Sequence, residues 1–333
     1  MLDYILPFIL LIVIVVFIHE YGHYYFAKKY GVGVTDFSIG FGKEIFGWND
    51  KSGTRWKVCW IPLGGYVKFF GDRNVFSQAD QEKIIQKYDE EDQKKLFVLK
   101  PLYQRVWIVF GGPLANFLLA FVIFFSIYTF VGKDFTPAVI NEVQKNSPAM
   151  SGGLKENDVI LEIDGNKVKS IMDVSKFIMM STDDLIDFKV SRSYDELLLK
   201  IKPNIVDGED SLGNKIKKRI VGIKLGAYNN EINHVKLSPT KAIYHAAHEV
   251  YYVSTSSLKY IGAMIFGKAD TSQLGGPIRI AKISGQVAEF GILAFLSMMA
   301  YISISLGLIN LFPIPMLDGG HLMFYAFEKI LGR

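Results

Sequence analysis

The sequence predicts a polytopic α-helical membrane protein with a small domain of mixed helix and strand outside the membrane. Three observations predict it. Half of the 333 residues are hydrophobic and the mean hydropathy is positive, +0.22, which is too apolar for an ordinary soluble protein. Three uncharged stretches reach the ~20 residues that cross a bilayer. Between the second and third lies a stretch of short alternating segments punctuated by Gly, Asn and Asp.

The first span runs from residue 4 to about 26, and only His19, Glu20 and His23 interrupt it. Asp3 replaces a basic leader and no small-residue cleavage site follows, so the helix reads as retained. The second span, 106–132, lies between Arg105 and Lys133, and the third, 290–317, between Glu289 and Asp318. Lys28, Lys29, Lys100, Arg105, Lys329 and Arg333 flank these spans on one common side. The excess of basic residues on cytoplasmic loops then places the N-terminus outside and residues 133–289 extracytoplasmic.

These spans order the rest of the chain. Residues 1–27 form the first transmembrane helix, and 28–105 a cytoplasmic-side segment. Within that segment "RWKVCWIPLGGYVKFF", 55–70, reads as an apolar hairpin broken by Pro62, Gly64 and Gly65. Non-helical backbone of that polarity belongs against protein or a water-filled cavity at membrane depth. Residues 79–96 read as a charged, solvated helix. The extracytoplasmic domain occupies 133–205. Its "VILEIDGNKV" reads as two strands joined at Asp164-Gly165, "MDVSKFIMM" as a helix, and "DFKVSR" with "LLLKIKP" as a closing hairpin. The region 206–289 reads as linker and juxtamembrane segment. In it 204–220 is expected to be a loop, and 242–266 an amphipathic helix on the membrane surface. Residues 290–317 form the third span and 318–333 a turn and C-terminal segment.

Charge and cysteine content exclude other classes. The net charge is +4, with no basic run interleaved with aromatics to suggest nucleic acid, and the one cysteine, Cys59, permits no disulfide framework within a chain. Cys59 is expected simply to pack in the hairpin.

The chemistry lies in "HEYGH", residues 19–23, which fits H-E-x-x-H. An ionisable group at membrane depth costs at least ~2.5–3.5 kcal/mol, so three together demand a function. Histidines at i and i+4 share one helix face, ~5–6 Å apart, and can reach one zinc ion. Glu20, beside the first histidine, is placed to act on water instead of binding the metal. At ~1.5 Å per residue His19 lies about 24 Å along the helix from Asp3, inside the bilayer and toward the cytoplasmic face. Zinc needs a third protein ligand to leave one position open for catalysis. "NLFPIPMLDGGH", 310–321, ends the third span on the same side, and Asp318 is the foremost candidate, with His321 a competitor. Asn310 can point into the site as a donor to a carbonyl or oxyanion. "HAAHE", 245–249, has metal-compatible spacing but reads as an ordinary interfacial face.

Taken together, HEYGH, "GGPLANF" at 111–117 and "NLFPIPMLDGG" resemble the site-2 protease family of intramembrane zinc metalloproteases, in its bacterial RseP-type branch. "SPAMSGGLKENDVILEIDGNKV" resembles the PDZ domains of that branch, and "LGGPIRIAKISGQ", 274–286, the segment ahead of its third span. The resemblance covers most of the chain. It implies a zinc cofactor held by His19, His23 and Asp318, with Glu20 as acid and base. Asn116 and Asn310 would be polar residues near the site. The hairpin, with Gly64 and Gly65, would be a membrane-associated element presenting substrate as an extended strand. It further implies a bacterial inner-membrane location and lipid as surroundings. Substrates would be single-pass membrane proteins of the anti-sigma-factor or remnant-signal-peptide kind. The branch continues into a fourth transmembrane helix, which this sequence, ending at Arg333, lacks, and some members carry two PDZ domains where one is found here. Two readings compete with the protease: a catalytically inactive membrane scaffold presenting a PDZ-like domain, and a zinc transporter. A transporter needs ligands along a path, whereas these gather near one face.

Overall fold

Between Leu2 and Lys29 the aliphatic run forms one helix, α1. Its 28 residues span about 42 Å, more than the ~30 Å of a hydrocarbon core. Lys28 and Lys29 in its last turn complement the negative end of the helix dipole. The computed structural model describes residues 2–71, 88–209, 215–226, 233–267 and 276–332.

In chain order α1 is followed by strands β1 (Val34–Asn49) and β2 (Arg55–Phe69), then helix α2 (Leu102–Ser126), which continues as a π-helical turn over Ile127–Val131. Next come β3 (Lys133–Asp134), β4 (Val139–Val143), β5 (Val159–Ile163), β6 (Asn166–Lys167) and helix α3 (Ile171–Met180). Strands β7 (Ile186–Arg192), β8 (Asp195–Ile201), β9 (Asn204–Glu209), β10 (Lys215–Ile220), β11 (Ile223–Gly226) and β12 (His234–Val235) follow. The chain closes with helices α4 (Pro239–Ile265), α5 (Pro277–Glu289), α6 (Ile292–Asn310) and α7 (Asp318–Leu331). Among the described residues three helices are long and apolar enough to cross a membrane: Tyr4–Lys29, Leu102–Val131 and Ile292–Asn310.

The chain divides into two units, one of Met1–Phe124 with Ile280–Arg333 and the other of Phe125–Arg279. In the first, α1 crosses α2 at a pair of glycines. A Cβ on Gly22 would run into the Gly111 carbonyl, and one on Gly111 would come within 2.7 Å of Gly22 O. Two backbones can approach this closely only where side chains are missing.

The same unit holds the hairpin, which is more elaborate than the sequence suggested. Strand β1 bends between Phe41 and Glu44, and β2 bends between Cys59 and Gly65. Residues 34–39 therefore pair on one side with 65–69 and on the other with 55–58, while 44–49 pair with 55–59. The result is one ribbon of four segments side by side, with 65–69 as one outer segment. Its apolar face packs on α1 through Val34, Phe37, Val67 and Ala27, joined by Phe17, Tyr24 and Trp56.

The third span is shorter than the apolar stretch implied. Helix α6 stops at Asn310, because Pro313 and Pro315 cannot donate to a continuing helix. The backbone then turns over 311–317 and re-enters a helix at Asp318. What was expected as a turn at the Leu-Asp-Gly-Gly sequence is instead the first turn of α7.

The second unit is built on an antiparallel sheet of order β11-β4-β5-β7-β8, with β6 on β5. Ile140, Ile160, Ile163, Ile186, Phe188 and Val190 fill its core together with Val174 and Phe177 of α3. Ser170 and Asp173 cap α3 reciprocally. The strands and helix expected for 159–201 are all present, and the amphipathic segment is α4. The expected loop at 204–220 is instead β9 paired with β10. Strand β10 is mostly Lys and Arg, which hides it in the sequence, and Arg219 is tied to the carbonyls of Ser181 and Asp183. Residues 79–87 of the charged helix expected at 79–96 lie outside the described residues, and its described part is helical over Glu90–Gln93 only.

Candidate metal centre

Helix α1 turns two faces to its neighbours. His19 and His23 look toward α2 and α7, while Phe17, Glu20 and Tyr24 look toward the hairpin. The histidine face is where the three sequence-predicted ligands meet. His19 Nε2 lies 3.2 Å from His23 Nε2 and 3.2 Å from Asp318 Oδ2, and His23 Nε2 is 3.5 Å from Asp318 Oδ1. One donor atom from each residue falls within 4.8 Å of the others. That grouping does not include His321, which is exposed.

Each candidate ligand is positioned from behind. His23 Nδ1 donates to the carbonyl of Ile108 on α2 at 2.9 Å, which leaves the Nε2 lone pair facing the cluster. His19 Nδ1 is 3.1 Å from the amide of Asn116, which is fully buried on α2. The two orientations of an amide are equal in shape. With Oδ1 toward the ring, Asn116 accepts the Nδ1–H, and an oxygen otherwise buried without a partner is satisfied. Both imidazoles then present bare Nε2 atoms, the arrangement that outer partners impose on metal-binding histidines. Ser303 Oγ of α6 donates to the main-chain carbonyl of Asn116 at 2.9 Å.

Gly112 makes the room. A Cβ there would run into His23 Nε2 and come within 2.8 Å of His19 Cε1. Asp318 arrives because α7 folds back tightly on the preceding loop. A Cβ on Gly319 would strike the Leu311 and Phe312 carbonyls, and one on Gly320 that of Ile314. Asn310 Nδ2, at the end of α6, lies 3.4 Å from His19 Nε2.

The donor set fits zinc: two neutral imidazole nitrogens and one carboxylate leave a fourth tetrahedral position open. The fit rests on Asp318, whose Oδ2 is buried with no hydrogen-bond donor. A buried carboxylate oxygen facing two aromatic nitrogens without donated protons is costly unless a cation joins them.

On the adjoining face of α1, next to the histidines, Glu20 meets the outer hairpin segment. The Val67 backbone N–H donates to its carboxylate. A Cβ on Gly65 would lie 3.0 Å from Glu20 Cγ and 3.1 Å from Val16 Cγ1. Gly64, with φ +154°, faces the Phe41 ring instead. Sequence reasoning named Gly65 but missed Gly22, Gly112 and the Val67 amide. The first two are legible only as a small-residue spacing, and a backbone donor leaves no mark in a sequence.

Comparison with known proteins agrees with this geometry. Residues 7–333 match the family model described as Peptidase family M50. The Agrobacterium fabrum protein Atu1380, whose name places it among zinc metalloproteases, is 42% identical over 330 residues, covering 99% of this chain and 87% of that one. Metalloprotease MmpA of Caulobacter vibrioides is 33% identical over 341 residues, covering 96% and 85%. Among solved structures, the PDZ domain of the SdrC-like protein Lmo2051 from Listeria monocytogenes is similar at a TM-score of 0.22 and 24% identity, covering 28% of this chain and 93% of that one. A chain matched over nearly its whole length, with an H-E-x-x-H helix and a distant aspartate converging between apolar helices, belongs to Peptidase family M50, the site-2 protease family of zinc metalloproteases.

Proposed function

We propose that this chain is an intramembrane protease that hydrolyses peptide bonds within the transmembrane segments of single-pass membrane proteins. One observation carries the reading: the two imidazoles and Asp318 converge between apolar helices, with a carboxylate beside them on the same helix. His19, His23 and Asp318 hold the metal. Bound zinc supplies a Lewis acid that polarises a peptide carbonyl and acidifies water. Glu20 takes a proton from the attacking water and delivers it to the leaving amine. Asn116 fixes the His19 ring, and Asn310 is a donor for the developing oxyanion.

A transmembrane helix hides its peptide bonds, so the substrate must unwind locally. The outer hairpin segment supports this step. Among the described residues, 65–69 pair with β1 on one side only, and their other edge lies along Glu20. An unwound substrate adds there as a strand beside Glu20, which Gly65 allows to approach the hairpin closely while Gly64 seats the Phe41 ring. Anti-sigma factors and remnant signal peptides are substrates of the right form. The basic flanks support a bacterial inner-membrane setting, with the metal near the cytoplasmic face and the second unit outside. That unit, similar to PDZ domains, meets the trimmed end of the substrate.

The test is reconstitution into vesicles with a tagged single-span reporter whose transmembrane helix carries a central Gly-Pro pair. Two fragments appear with zinc and vanish with a chelator. An intact reporter under both conditions contradicts the reading and favours the scaffold.

A further inference from the structure

The hairpin that touches Glu20 is tied to α1 at a second point, through Asp50 in the turn between β1 and β2. Asp50 Oδ2 accepts from the Tyr24 hydroxyl at 2.9 Å and from the Trp56 indole N–H at 3.1 Å. Its Oδ1 accepts from the amides of Ser52 at 2.8 Å and Thr54 at 2.9 Å, and from the Ser52 hydroxyl at 2.7 Å. That hydroxyl accepts from Lys28 Nζ, also of α1, at 2.7 Å. Five donors on one carboxylate exceed what closing a turn requires. Burial opposes the charge, but the hydrogen bonds from Ser52, Trp56, Thr54 and Tyr24 hold the Asp50 carboxyl well below the usual carboxylate range.

The knot is stacked as well as hydrogen-bonded. Trp56 stacks on Phe37 with ring centres 4.1 Å apart, and Tyr24 sets its edge against Trp56 at 5.2 Å and Phe37 at 5.7 Å. Phe37 pairs in register with Trp56 on one side and with Val67 on the other. A path of side chains and backbone thus runs Tyr24–Asp50–Trp56–Phe37–Val67–Glu20. It leaves α1 and returns to it one turn away, since Glu20 and Tyr24 are i and i+4 on the same face.

We propose that Asp50 is a positioning residue for Glu20. By locking the ribbon to Tyr24 it fixes the Val67 amide that orients the general base and the free strand edge beside it. This inference rests on the protease reading above. The knot involves none of Ile108, Asn116 and Asp318, which hold the histidines, so loosening it leaves metal binding intact.

The test compares wild type, Asp50→Asn and Tyr24→Phe, each purified with zinc in detergent, using the reporter described above. Asparagine keeps the shape of Asp50 but turns an NH2 toward donors. Tyr24→Phe removes one hydroxyl and keeps the stacking. The expected result is full zinc content in both, with kcat lowered about tenfold in Asp50→Asn and about threefold in Tyr24→Phe, and KM within about twofold. A second readout is independent of turnover: amide hydrogen exchange across 65–69 accelerates at least tenfold in both variants, while exchange in 15–23 of α1 stays as in wild type. Unchanged kcat and exchange overturn the proposal, as does a loss of activity matched by loss of zinc. If Asp50→Asn does not fold, Tyr24→Phe alone decides by the same two readouts. A wild type that holds zinc and shows the exchange pattern yet cleaves nothing sinks the protease reading and leaves the tether standing.

Discussion

Replacing Glu20 by glutamine is expected to lower reporter cleavage by about 10²–10⁴-fold, the contribution typical of a positioned proton-transfer group, while zinc content and unfolding temperature remain those of wild type. The side chain keeps its length and an oxygen that can accept from the Val67 amide. What it loses is the ability to take a proton from water and release it to the amine. His19, His23 and Asp318 are untouched, so the metal stays. Fragment yield from vesicles, with zinc measured on the same preparation, separates the two effects. Residual activity above about a tenth of wild type would assign the proton transfer elsewhere.

Gly22→Ala is the second large effect, and it acts through packing. The added methyl would meet the Gly111 carbonyl and lie 2.8 Å from Ala115 Cβ. No rotamer relieves a clash with backbone, so α1 and α2 must separate by an ångström or more. Overpacking of this kind costs ~1–3 kcal/mol or more. Here it also shifts His23 away from the Ile108 carbonyl and His19 from Asn116, since both partners belong to α2. The expected outcome is a lower unfolding temperature and loss of most bound zinc, read by thermal melting and metal analysis. A variant with unchanged midpoint and full zinc would show that the close crossing does not hold the ligands.

The contrast between these two residues marks what the sequence made legible. Glu20 and its histidines stand out because ionisable groups are rare in a lipid-facing run. Asp318 stands out because two prolines and two glycines break the chain where the third span should end. Both signals are local. Gly22 carries none: its role depends on what lies across from it, and Gly111 is 89 positions away. The Val67 amide is backbone, identical in every residue but proline. Strand β10 escaped because Lys and Arg mask alternation and β9 because it is short and interrupted by Asp207 and Gly208, and the bends that fold β1 and β2 into four segments follow from pairing between distant residues. The helix α3 and the hairpin of β7 and β8 were readable, since their apolar positions recur with the period of the element they form.

The central claim is that the two ends of the chain meet to hold one zinc ion. It is tested most directly by zinc-to-protein ratio in purified wild type, His23→Ala and Asp318→Ala, with the fold of each checked by circular dichroism. The expected ratio is near one for wild type and below about a tenth for both variants at equal helix content. A folded Asp318→Ala protein that keeps zinc as wild type does would contradict the account, because the metal would then be held without the C-terminal helix.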